Sequence, residues 1–106
     1  MVRGELVKLT APRARGHEQR GARPGVVLQA DELLDLSTIV VAPTSRSAAA
    51  ATFRPTIELE GAETRVLLDQ LRAVDVQAVK PTIGRLSGAE MAAVDDALAL
   101  VLGLAR

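Results

Sequence analysis

The sequence predicts a mainly β fold: a small barrel or curled antiparallel sheet packed against one C-terminal amphipathic helix. Three observations carry this. Short β-branched runs, GVVLQ at 25–29 and TIVVA at 38–42, read as buried strands. TFRPTIELE at 52–60 alternates, with Phe53, Ile57 and Leu59 on one side. After Ser87 the period changes, and Met91, Val94, Leu98, Val101 and Leu102 recur at three- and four-residue spacing. Leu, Ile, Val and Phe make up 31 of the 106 residues, enough apolar content for a core. The length suits a single domain over 1–106.

Taken in order, VRGELVKL at 2–9 alternates imperfectly and predicts a first strand. Residues 10–22 lack periodicity and hold Pro12, Gly16 and Gly21, so a long exposed loop is expected there. So long a loop in so small a domain leans functional. The runs at 25–29 and 38–42 follow, with a helical turn expected over 31–36 (DELLDL). Pro55 argues for an edge strand or a bulge in the 52–60 segment, and Phe53 is expected in the core. Gly61-Ala62 turns the chain into a longer strand, TRVLLDQLRAV at 64–74, and 82–86 adds a last short one. That makes five or six strands. Ser87 with Glu90 matches a capping box, and Gly103 is placed to end the helix.

Composition narrows the function classes. Thirteen Lys+Arg balance 13 Asp+Glu, so bulk charge makes no case for a polybasic nucleic-acid binder. The balance hides an asymmetry. Residues 1–25 hold six basic residues against Glu5 and Glu18, a net of +4, and the rest of the chain is net −4. Absence of cysteine excludes disulfides and thiolate chemistry, and a lone histidine, His17, excludes a multi-histidine metal site. Neither metal nor cofactor is expected. No apolar run reaches membrane-spanning length, and no targeting segment stands out, so a cytoplasmic protein with no membrane role is expected.

The order of the pieces resembles one known family. Arg3-Gly4-Glu5-Leu6, then residues 16–24 (GHEQRGARP), then Val26-Val27-Leu28 are similar to the opening of the MazF/PemK/Kid family of toxin–antitoxin endoribonucleases. Val41-Ala42-Pro43-Thr44-Ser45, residues 69–75 (DQLRAVD) and Gly84-Arg85-Leu86-Ser87 continue the resemblance collinearly along the chain. It implies an SH3-like barrel, a homodimer, and metal-independent cleavage of single-stranded RNA at short sequences. It also implies a cognate antitoxin, which charge suggests is acidic. On the residues that match, it assigns cleavage to Arg23 and Thr44 and implicates Glu18. Arg20, His17, Gln19, Ser45, Arg46 and Gln70 are the candidate RNA contacts.

Metal-free RNA cleavage uses the ribose 2′-OH as nucleophile and leaves a cyclic phosphate and a 5′-OH. Arg23 suits phosphate binding and charge stabilisation, since its planar fork fits phosphate oxygens and stays protonated. Thr44 could donate its hydroxyl to a non-bridging oxygen. Glu18 is the candidate base, although neighbouring Arg20 and Arg23 would lower its pKa. His17 has the ordinary pKa best suited to proton transfer. Asp69 and Gln70 could support either the barrel wall or the site. Three positions depart from the family pattern: Val7 where an aromatic is common, Gly25 where a larger aliphatic is usual, and Ser45 for a second Thr. The lost aromatics remove a base-stacking platform. Two other readings stay open, a non-cleaving barrel that binds RNA or an antitoxin and a toxin that poisons a DNA topoisomerase.

Overall fold

The computed structural model describes residues 1–10 and 22–104. Seven antiparallel strands form one sheet in the order β4-β5-β3-β2-β1-β7, with β6 also paired to β3. The strands are β1 (Glu5–Thr10), β2 (Ala22–Val27), β3 (Thr38–Ser45), β4 (Thr56–Leu59), β5 (Ala62–Val66), β6 (Arg72–Asp75) and β7 (Val79–Arg85). The helix α1 spans Gly88–Leu102. The sheet curls into a nearly closed barrel, as expected for the fold class.

The central strands are buried on both faces, which is why their apolar runs are continuous. Leu6, Val26 and Ala42 join Leu68, Val94 and Ala97 in a cluster beneath the helix. Their neighbours Val7, Leu9, Val27, Ile39 and Val41 form a second cluster on the opposite face. Val7 is therefore a core residue, 1% exposed, and presents no face to a ligand. Gly25 also has a packing reason. A Cβ there would lie 2.4 Å from Leu9 Cδ1 and 3.0 Å from the Ala42 carbonyl oxygen. Leu9 fills the volume that a larger residue at position 25 would occupy.

Several boundaries differ from the sequence expectation. The first strand starts at Glu5 because residues 3 and 4 form a turn. Gly4, at φ 90°, gives its N–H to the Val27 carbonyl and accepts from Leu86 N–H. The second strand covers 22–27, so Arg23 and Pro24 lie within it. The third continues through Pro43 to Ser45. Most of 52–60 is not strand. Arg54 N–H closes a turn on the Ala51 carbonyl, and only Thr56–Leu59 pairs. Phe53 joins neither apolar cluster and lies half-buried under the Arg54 guanidinium, 5.5 Å from its ring centre.

The expected long strand over 64–74 is broken in two. A 3-10 turn at Leu68–Gln70 separates β5 from β6 and drops Leu68, 0% exposed, into the main core. The break follows from pairing: β3 holds β6 along 38–41 and β5 at Thr44 and Ser45, on adjacent stretches of one edge. The last strand begins at Val79 rather than Thr82. The turn expected over 31–36 is a 3-10 turn at Asp31–Leu33.

The helix begins and ends as its caps predict. Ser87 Oγ accepts Glu90 N–H at 3.1 Å while Glu90 Oε1 accepts Ser87 N–H at 2.9 Å, and Gly103 is left-handed. Glu90 Oε2 also accepts the Glu58 N–H at 2.8 Å, which ties the helix start to β4. Burial pushes the Glu90 carboxyl up, but the N–H groups of Ser87 and Glu58 and the Ser87 hydroxyl outweigh it and hold the pKa below its ordinary value. The buried stripe is Val94 and Ala97, flanked by Met91 and Leu98. Val101 and Leu102, expected in that stripe, are exposed together with Leu100 and Leu104. The last helical turn leaves the core.

Candidate active site

Two prolines shape the end of the β2–β3 ladder. Gly25 pairs with Pro43, and Pro24 and Pro43 both lack an N–H. The side chain of Thr44 takes over, donating its hydroxyl to the Pro24 carbonyl at 3.1 Å. Thr44 is thereby pinned beside Arg23. Its proton is engaged with Pro24, so it offers the adjoining space a lone pair. Donation to a phosphate oxygen, the role expected for it, requires exchange of that partner.

Beyond Ser45 the chain leaves the sheet in a tight bend. Ser45 Oγ accepts the N–H groups of Ser47 at 3.2 Å and Ala48 at 3.1 Å. This local bonding folds the loop that carries Arg46. Across β3 from Arg23 stands the β4–β5 hairpin. Leu59 pairs with Ala62, leaving Glu60 (φ 53°) and Gly61 (φ 82°) as a two-residue turn. A non-glycine residue in that conformation costs about 1–2 kcal/mol. Thr64, 2% exposed, donates its hydroxyl to the Ala62 carbonyl at 3.2 Å.

These elements enclose an open cleft of about 330 Å³. Arg23 and Pro24 form one wall, Thr44 through Ser47 the floor, and Leu59, Glu60 and Thr64 the other wall. Arg23, Arg46 and Glu60 are exposed. Among the described residues none of the three is in an ion pair, whose members are Arg3 with Asp95 and Arg54 with Asp69. Two guanidiniums thus line the cleft beside a row of hydroxyl groups, and among the described residues no carboxylate pairs with either one. Such an array suits an anionic ligand with several oxygen acceptors.

Arg23, Thr44, Ser45 and Arg46, singled out from sequence, are brought together in this cleft. Gln70 is not; it sits exposed on the turn between β5 and β6. Its neighbour Asp69 binds Arg54 through two hydrogen bonds, Nε to Oδ1 at 3.1 Å and Nη2 to Oδ2 at 2.9 Å. Those bonds hold the Asp69 carboxyl below its ordinary pKa and raise that of Arg54. Asp69 therefore supports the wall. His17, Glu18, Gln19 and Arg20 lie outside the described residues. Glu60 and Thr64 were not among the sequence candidates, because they reach the cleft through the pairing of β5 with β3. The Glu60-Gly61 pair between alternating segments was the available signal for that turn.

Fold and cleft define a class: a small β-barrel with a capped terminal helix that presents exposed cations and hydroxyls at one end of its sheet. The chain belongs to the family of PemK-like, MazF-like toxins of type II toxin–antitoxin systems, whose model matches residues 2–102. It is 40% identical over 106 residues to a Mycobacterium tuberculosis protein named as a candidate toxin, covering 98% of this chain and 99% of that one. It is 31% identical over 109 residues to the endoribonuclease MazF of Staphylococcus epidermidis, covering 96% and 91%. The crystal structure of MazF from Deinococcus radiodurans superposes with a TM-score of 0.77 at 26% identity, covering 97% and 96%. A mycobacterial endoribonuclease solved in complex with its cognate antitoxin shares the fold at a TM-score of 0.81 and 17% identity, covering 100% and 98%.

Proposed function

We propose that this MazF-family toxin is a sequence-specific, metal-independent endoribonuclease that cuts single-stranded RNA. The observation that carries the reading is the cleft in which Arg23 and Thr44 stand side by side, with Arg46 on the same floor. Arg23 binds the scissile phosphate and stabilises the charge that develops when the ribose 2′-OH attacks it. The products then end in a 2′,3′-cyclic phosphate and a 5′-OH. Thr44, with its proton on Pro24, presents its oxygen to a donor such as the 2′-OH and helps hold that group in line. The guanidiniums of Arg23 and Arg46 and the hydroxyl groups between them suit phosphate oxygens. Glu18 and His17 are the remaining candidates for proton transfer, and Arg20 and Gln19 for RNA contact.

The same cleft is the surface an antitoxin must cover. An acidic, partly disordered segment would meet Arg23 and Arg46 and exclude RNA. The Deinococcus radiodurans relative is solved as a MazE–MazF complex, which supports a paired partner here. A homodimer acting in the cytoplasm completes the proposal. Among the described residues no helix is long and apolar enough to cross a membrane.

Mapping cut ends on a long defined RNA tests the reading. The expected result is cleavage at a recurring short sequence, unaffected by EDTA, leaving cyclic phosphate ends. A metal requirement, or undiminished cutting by Arg23→Ala, would overturn it. Trapping of a topoisomerase on supercoiled DNA without RNA cleavage would favour action by binding.

A further inference from the structure

Glu60 is the one acidic residue lining the cleft among the described residues. It sits on the wall across β3 from Arg23, since β3 pairs with β2 on one edge and with β5 on the other. Two strand spacings, roughly 10 Å, separate β2 from β5. A strand of RNA held by its phosphate at Arg23 and filling the cleft therefore brings a neighbouring part of itself against the hairpin turn. A carboxylate there would repel phosphate, so the group that meets it is a neutral base. No aromatic lines the cleft among the described residues, so stacking is not what that wall supplies. Hydrogen bonding to the base edge is.

We propose that Glu60 is a specificity-determining residue that selects a base carrying an exocyclic amine and rejects uracil. This rests on the endoribonuclease reading above. An ionised carboxylate only accepts hydrogen bonds. Cytosine, adenine and guanine each offer an amine, at N4, N6 and N2, on an edge that single-stranded RNA leaves free. Uracil offers one ring N–H flanked by two carbonyl oxygens, both of which face the carboxylate unfavourably. Position 60 also holds its residue in a left-handed conformation that glutamate seldom adopts. The side chain is held at the cleft mouth against local backbone preference, as residues under functional constraint are.

The test is cleavage of a single-stranded RNA pool randomised around the cut, read by sequencing the 5′-OH ends. Wild type is expected to exclude uracil at one position. Glu60→Gln, whose amide can both accept and donate, should raise uracil there at least about tenfold and leave the other positions unchanged. Glu60→Asp keeps the acceptor and should keep the exclusion. Thermal melts of both variants confirm the fold. An identical base profile for Glu60→Gln overturns the proposal, as does a uniform fall in rate at every sequence, which would place Glu60 in the chemical step. Wild type that cuts no RNA overturns the function itself, a distinguishable result.

Discussion

Arg54 and Arg23 stand in opposite environments. Arg54 spends its donors on Asp69 and on the Ala49 carbonyl, and its plane lies over Phe53. Arg23 is exposed at the rim of the cleft and, among the described residues, forms no ion pair. On the proposed function, the difference separates a cation that ties two segments of the protein together from one that meets a ligand. The first ties the loop after β3 to the turn before β6. The second sits on a strand already held by β1 and β3, so its guanidinium is not needed for folding.

Removing Arg23 should have the largest effect. Arg23→Ala is expected to lower RNA cleavage at least about 100-fold, the scale of losing a group that stabilises transition-state charge. Its melting temperature should stay at the wild-type value. A variant that melts early would erase the contrast with Arg54. Next in size is the packing beneath Arg23. Gly25→Val drives a side chain into Leu9 and the Ala42 carbonyl and should destabilise by about 1–3 kcal/mol in urea unfolding. Adding Leu9→Ala should recover part of that loss; no recovery would mean that the backbone contact, not Leu9, sets the cost.

The smallest effect belongs to the engaged cation. Arg54→Ala should lower the melting temperature slightly with cleavage close to wild type, since the pair is open to solvent and salt. Because Asp69 has its pKa depressed on folding, its contribution is fully present above the ordinary aspartate pKa of about 4. It is lost as pH falls through the lower folded value. Asp69→Asn should remove that part of the acid dependence, and melts from pH 7 to 2 would show whether it does.

Local signals were legible in the sequence. The capping box of α1 requires only Ser87 and Glu90 in register, and Gly103 needs only its own backbone freedom. Arg23 and Thr44 were singled out through the family resemblance, and the structure adds why they meet: Pro24 and Pro43 leave a carbonyl for the Thr44 hydroxyl. What escaped was set by partners distant in sequence. The bend at Leu68–Gln70 exists because β3 receives β5 and β6 on one edge, which no pattern within 64–74 encodes. The exposed end of α1 likewise depends on where the sheet stops supporting it. Glu60 escaped because its own neighbours describe only a turn.

The hairpin tip also sets a limit on improving this protein. Asn or Gly would fit the backbone at position 60 better than Glu does. A selection for thermal resistance alone should therefore drift away from glutamate at this point, gaining about 1 kcal/mol. Robustness and discrimination between bases compete for one residue, and a laboratory lineage evolved for heat tolerance should become less selective as it hardens.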